Sequence, residues 1–299
     1  MELGDLAEEG GEEYSFHRGI VLQVRILEAR GNTLRFYING LDIEVANALR
    51  RTMIADVPTM AVEDVMIVEN TSPIRDEVLA HRLGLVPLKT DLESYVPREL
   101  CECRSELGCG KCSVTLTLEA EATDSPRTVY SRELESSDPE VVPVSGNIPL
   151  VKLARGQRIR LEAYARLGTG REHAKWQPVS VSAYRYAVQF SLDAEKCNLC
   201  LSCVTSCPKH LLQKDDGKLI LSRPENCDLC KECMNSCPRE ALTVSPEKNA
   251  FVFSIESTGS LEPQEIFLKA IEIMKDKADV LIDELQQHLR GQFNEKNAD

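Results

Sequence analysis

The chain has 299 residues, 42% of them hydrophobic and 5% aromatic, which is enough apolar material for two or more soluble domains without disulfide staples. Its formal charge of −13 at pH 7 excludes broad non-specific binding to nucleic-acid phosphates, because that affinity needs clustered Lys and Arg to displace counterions. No apolar run approaches the ~18 residues of a bilayer span, and the opening MELGDLAEEGGEE carries six carboxylates and no basic residue, unlike a secretory signal. These features predict a cytoplasmic protein with no membrane contact and an acidic, disordered tail over residues 1–14. In a reducing compartment, twelve cysteines point to metal ligands before disulfides.

In chain order, GIVLQVRILEARGNTLRFYING alternates apolar and polar residues on both sides of Gly31 and Asn32, which predicts a β-hairpin. Asp42 then caps a helix through IEVANALRRTMIADV, with Ala46, Leu49, Met53 and Val57 on its buried face and Arg50 and Arg51 on solvated ones. AVEDVMIVEN reads as a strand and SPIRDEVLAHRLGLVPL as a short helix closed near Gly84. His81 has no ligand partner near it in sequence and reads as structural. From Glu119 to Asn147, Ser, Pro, Asp and Glu predict a long loop. IRLEAYARLG and VSVSAYRYAVQFSL return to strand patterning, joined by GTGREHAKWQP. His173 stands where a dinucleotide fingerprint needs its third glycine, so that connection is no cofactor loop. The last element is a helix of ~26 residues starting at Pro263. Phe267, Ile271, Met274, Ala278, Leu281 and Leu285, at steps of 4, 3, 4, 3 and 4, form its apolar seam. Periodicity alone leaves open whether the seam is buried within the chain or against another.

The strongest chemical signal is a repeat. Cys197, Cys200, Cys203 and Cys207 followed by Pro208, and Cys227, Cys230, Cys233 and Cys237 followed by Pro238, each spell C-x2-C-x2-C-x3-C-P. Three closely spaced thiolates wrap one cubane while the fourth points to its neighbour, so the ligand sets are expected to cross. One [4Fe-4S] cluster takes Cys197, Cys200, Cys203 and Cys237, the other Cys227, Cys230, Cys233 and Cys207. Each C-P is expected to lead into a helical turn, KHLL or REAL, with a hairpin at QKDDGKLIL between the halves. Zinc is the rival, though zinc sites pair two knuckles instead of running three cysteines in series. A second group, Cys101, Cys103, Cys109 and Cys112, suits a structural zinc ion closing one tight loop, with free thiols as the alternative. Iron–sulfur clusters raise the reading of a ferredoxin-type electron carrier. The chain offers no partner centre for one: it has no flavin or nicotinamide fingerprint, Walker A loop, H-E-x-x-H or G-x-S-x-G element.

GLDIEVANALRRTMIADVPTMAVEDVMIVENTSPIRDEVLAHRLGLVPL resembles the assembly-subunit family of cellular RNA polymerases, which includes bacterial alpha, the eukaryotic third subunit and the archaeal alpha-like subunit known as D. KLARGQRIRLEAYARLGTGREHAKWQPV and FVFSIESTGSLEPQEIFLKAI resemble later segments of that family, and the likeness runs from about Phe16 to about Leu289. A ferredoxin insert without a bacterial-type DNA-binding tail points to the archaeal branch. The resemblance implies an α+β fold in which a discontinuous alpha-subunit-like dimerisation domain, residues 15–56 and 247–299, surrounds an inserted mostly β domain over 57–190. A ferredoxin-like 2x[4Fe-4S] subdomain occupies 191–246. It further implies a non-catalytic scaffold in transcription with no active site of its own and no sequence-specific DNA binding. The helical seam would meet a smaller partner, subunit L. Arg50 and Arg51 would face a large catalytic subunit, and small accessory subunits would join the assembly. The family's eukaryotic members carry a cysteine cluster related to Cys101–Cys112, with a narrower gap than the five residues here. The implied role of the clusters is to brace the insert and to make assembly redox sensitive.

Overall fold

The computed structural model describes residues 13–16 and 20–295, with side chains placed for 22–289. The acidic tail expected over 1–14 lies outside the described residues except for Glu13 and Tyr14, which are strand. The first half of the chain gives β1 (Glu13–Phe16), β2 (Ile20–Arg30), β3 (Thr33–Asn39), α1 (Ile43–Ala55), β4 (Pro58–Asn70), α2 (Asp76–Gly84) and β5 (Val114–Glu121). There follow β6 (Arg127–Tyr130), β7 (Glu135–Ser136), β8 (Pro149–Leu153), β9 (Arg158–Thr169) and β10 (Val179–Leu192). The remainder is α3 (Ser202–Ser206), β11 (Leu212–Asp215), β12 (Lys218–Leu221), α4 (Glu232–Asn235), β13 (Leu242–Ser257) and α5 (Pro263–Glu295). Contacts divide the chain into two units: residues up to Asn47 with Ala183–Ser254, and Ala48–Ser182 with residues from Ile255 on. No helix among the described residues is long and apolar enough to cross a membrane.

The first unit is built on a five-stranded sheet ordered β1-β2-β3-β13-β10. The expected hairpin is β2 and β3, paired antiparallel from Gln23↔Asn39 to Arg30↔Thr33 with a bulge between Ile26 and Glu28. Alternation buries Leu34, Phe36 and Ile38 of β3, and Phe36 stacks on Phe253 of β13 with ring centroids 5.2 Å apart. The carbonyl of Asp42 accepts the first helical bond of α1 from the Ala46 N–H at 3.0 Å. Its carboxylate accepts from the Asn249 side chain at 2.9 Å. The buried face expected for α1 is observed, with Ala46, Leu49, Met53 and the following Val57 all buried.

The second unit holds a four-stranded sheet, β4-β9-β5-β7, and a small antiparallel pair, β6-β8. Its core joins Met60 and Val62 of β4, Leu79 and Leu83 of α2, Leu116 and Leu118 of β5, and Leu161 and Ala163 of β9. The loop expected over Glu119–Asn147 is corrected here: the end of β5, then β6 and β7, fall within it. Ala120, Ala122, Val129, Leu134 and Val141 reach the core between the polar residues that gave the stretch its loop-like composition. In the connection between β9 and β10, Trp176 is buried beneath Arg166 and Lys175, whose charges lie 4.6 and 4.3 Å from the ring centroid. Gly168 leaves room for that indole, since a Cβ there would stand 2.4 Å from the ring. Asp56, just past α1, pairs with Arg171 and with Lys277 of α5, each at 2.6 Å. Helix α5 runs 33 residues, longer than the seam alone predicts.

Candidate functional site

Both cysteine repeats lie within the first unit and share a local backbone path. Leu199, Leu201 and His210 have φ of 56°, 64° and 52°, and thirty residues later Leu229, Lys231 and Glu240 have 57°, 64° and 48°. A non-glycine residue in this left-handed region costs roughly 1–2 kcal/mol, and such strain concentrates where a ligand over-determines the backbone. Alternating right- and left-handed residues turn successive N–H groups into a concavity that favours anionic sulfur. The one-turn helices α3 and α4 then carry Cys203 and Cys233, both buried, while Cys200 and Cys230 are exposed. These helical turns precede each C-P. KHLL and REAL are tight turns leading into β11 and β13, which corrects the helical reading of those two stretches. In the turns the Leu211 N–H donates to Cys207 Sγ at 3.4 Å and the Ala241 N–H to Cys237 Sγ at 3.3 Å. The hairpin β11–β12 forms as expected, closed by Asp216 and Gly217 at φ of 41° and 75°, both left-handed as a two-residue turn requires.

Four cysteines that the crossed pairing assigns to one set lie beside one another. Cys197, Cys200, Cys203 and Cys237 together line a small concavity of about 20 Å³ whose other walls include Leu192, Leu199, Leu219 and Leu242. Burial, and then the charges of Cys237, Cys200 and Cys197, push the Cys203 thiol up. Burial, and then Cys227 with Cys207 and Cys230 beyond it, do the same at Cys233. Backbone and hydroxyl hydrogen bonds from Ser202 draw Cys200 down. Cys203 and Cys233 also belong to the small core of this segment, beside Val188, Leu212, Leu219, Leu242 and Val244.

The cysteines of the second unit are arranged differently. The Sγ pairs Cys101–Cys109, Cys103–Cys112 and Cys109–Cys112 are 3.7, 3.8 and 3.9 Å apart, and all four sulfurs lie within 4.8 Å of one another. Sulfurs ~2.3 Å from one central ion stand about 3.8 Å apart along the edges of a tetrahedron, so this set fits a single zinc-sized ion. Among the described residues, the repeat cysteines do not gather this closely. A wider spread suits a cubane, where each thiolate ligates a different iron. Burial pushes the Cys112 thiol up to about 12, and the Lys111 N–H draws Cys109 down to about 7. An ion binding here would displace protons from the set.

The predicted helical seam is only partly covered. On α5, Ile266 and Ala270 are buried and Phe267 and Met274 half-buried. Ile271 is 43% exposed, Leu281 57% and Leu285 54%, and Ala278 is exposed. Leu268, Val280, Ile282 and Leu289 widen the open apolar surface beyond the seam positions read from sequence, and Val24 and Ile26 of β2 are exposed as well. Arg50 is half-buried and Arg51 exposed on α1.

Residues 35–278 match the family model described as the RNA polymerase Rpb3/Rpb11 dimerisation domain. DNA-directed RNA polymerase subunit Rpo3 of Methanothermobacter thermautotrophicus is 44% identical over 87% of this chain and 98% of its own length. The Rpo3 subunits of Archaeoglobus fulgidus and Methanosphaera stadtmanae are 43% and 39% identical, covering 88% and 87% of this chain and 99% and 97% of their own. With a family match across well over half the sequence and relatives aligned nearly end to end, the chain belongs to the RNA polymerase Rpb3/Rpb11 dimerisation family, in its archaeal Rpo3 branch.

Proposed function

We propose that this chain is a non-catalytic assembly subunit of DNA-directed RNA polymerase that pairs with the smaller alpha-like subunit L through the apolar surface of α5. The pair then presents a platform, including Arg50 and Arg51, to the large catalytic subunits and the small accessory subunits. The observation that carries the reading is the exposed length of α5, with Ile271, Leu281 and Leu285 open to solvent in a chain of a family described by its dimerisation. A contiguous apolar surface of this kind marks an interaction site. The net charge of −13 argues for a scaffold over a direct reader of DNA. The polymerase names of the relatives give no support to the electron-carrier reading.

Within this reading the repeats hold two [4Fe-4S] clusters with crossed ligands, Cys197, Cys200, Cys203 and Cys237 for one and Cys207, Cys227, Cys230 and Cys233 for the other. Cys101, Cys103, Cys109 and Cys112 hold zinc. When bound, each group supplies folding free energy to a segment with little apolar core of its own. Anaerobic purification should return about eight irons per chain together with zinc. The pairing is tested by replacing Leu281 and Leu285 with Asp and measuring affinity for subunit L. Burying a leucine is worth about 1.5–3 kcal/mol, so the double variant should bind at least about a hundredfold more weakly. Unchanged affinity would overturn the reading.

A further inference from the structure

The two cysteine sets are counterparts under a thirty-residue shift, but the charges around them are not. We infer that Asp228 is a positioning residue that holds the set Cys207, Cys227, Cys230 and Cys233 to the body of the first unit, so that iron leaves the set Cys197, Cys200, Cys203 and Cys237 first. The inference rests on the two-cluster reading above and concerns only what this chain's residues do around each set.

Asp228 follows Cys227 directly. Its carboxylate is gripped by Lys209, two residues beyond Cys207, and by Arg185 of β10, whose Nη1 stands 2.8 Å from Oδ1. Lys209 also donates to the Asn226 carbonyl at 3.0 Å, and Arg185 donates to the Glu225 carbonyl. Arg35 of β3 donates to the Asn226 side chain at 3.2 Å. Cations from two strands of the sheet and from the Cys207 turn therefore converge on one short stretch, and all of them belong to the same unit. Lys209 links both stretches that supply ligands to this set.

Shifted by thirty residues, the counterparts of Lys209 and Asp228 are Arg239 and Asn198. Asn198 has no charge to offer, and Arg239 enters no ion pair among the described residues. The stretch before Cys197 is held by its own neighbours: the Glu195 and Lys196 N–H groups donate to the Asp193 carboxylate at 3.0 and 3.3 Å. The Cys197 N–H donates to the Asp193 carbonyl at 3.1 Å. The Asp193 N–H donates to the Ala241 carbonyl at 2.8 Å, and among the described residues no ion pair joins this stretch to the rest of the unit. A single exposed ion pair is worth little. A carboxylate shared by two cations that also bond the adjacent carbonyls restrains several backbone atoms together, and opening the stretch must break them together. Local opening is what admits a chelator.

The test uses the full chain paired with its partner, loaded anaerobically and then challenged with an iron chelator, following visible cluster absorbance and iron released. As iron leaves, sulfide departs and the freed thiolates take up protons. Two phases are expected, the faster one missing from Cys200→Ser and the slower one missing from Cys230→Ser. Asp228→Asn should speed the slower phase about fivefold, the factor carried by 1 kcal/mol, and leave the faster one unchanged. Asp228→Glu should restore the slow rate. A slower phase that belongs to the Cys197 set, a single phase, or an Asp228→Asn rate equal to wild type would overturn the inference. A starting preparation with iron for fewer than two clusters would instead remove the two-cluster reading itself, and the inference with it.

Discussion

Between Pro58 and Thr169 the second unit buries one face of strand after strand, so that Leu116 and Leu118 meet Leu161 and Ala163 in a continuous apolar interior. Between residues 191 and 246 the first unit buries Leu212, Leu219, Leu242 and Val244, and the rest of that interior includes Cys203 and Cys233. The sheet can stabilise itself by removing apolar surface from water at about 25 cal/mol per Å². The cysteine-rich segment has a smaller core and carries left-handed turns, so in the proposed reading the free energy of metal binding adds to what its apolar residues supply.

The largest effect that could break this comparison comes from removing a buried cysteine that the proposed reading makes a cluster ligand. Cys233→Ser should cost its cluster, cut bound iron roughly in half, and leave residues 191–246 open to limited proteolysis while the β4-β9-β5 sheet stays resistant. A cluster-depleted segment that still resists digestion would show that its apolar residues suffice. Next in size, Leu161→Ala should destabilise the second unit by about 2–5 kcal/mol in urea titrations with iron content unchanged; loss of iron on that substitution would mean the two regions are not energetically separate.

The smallest effect concerns Asp56. Burial works to raise its pKa, but hydrogen bonds and charge from Lys277 and Arg171 prevail and hold it below the ordinary carboxylate value of 3.8. A depressed folded pKa contributes stability above the ordinary value that is lost as pH falls through the folded one. Asp56→Asn should therefore lower stability at neutral pH by under about 1 kcal/mol, and the difference from wild type should shrink as pH falls past the ordinary carboxylate value and through the lower folded one. Melting curves across that range check the sign, and a gap that widens on acidification would refute it.

What could be read from the residues followed the strength of their periodicity. The β2–β3 hairpin and the buried face of α1 obey fixed periods, and the cysteine repeats announce themselves by spacing. The stretch from Glu119 to Asn147 hid its strands because β6 and β7 are only four and two residues long, and their few apolar residues are scattered among turn formers. KHLL and REAL looked helical because they pair a charged residue with apolar ones, yet each buries two successive apolar side chains, Leu211 with Leu212 and Ala241 with Leu242, at the entry to a strand. The end of α5 outran its apolar seam because QQHLRGQFNE has little pattern but no helix-stopping proline. Which face of α5 the fold itself covers was not in the period: Ile266 and Ala270 go inward, one step away from Phe267 and Ile271.

From Lys275 to Leu289 every residue of α5 is exposed. A stretch of that length winding alone in water sits near the midpoint of its own coil-to-helix equilibrium. A chain that covers it therefore sets how much of the rod stays wound, and the heat of association carries a winding contribution on top of contact burial. Calorimetry of that event would report conformational ordering as well as adhesion.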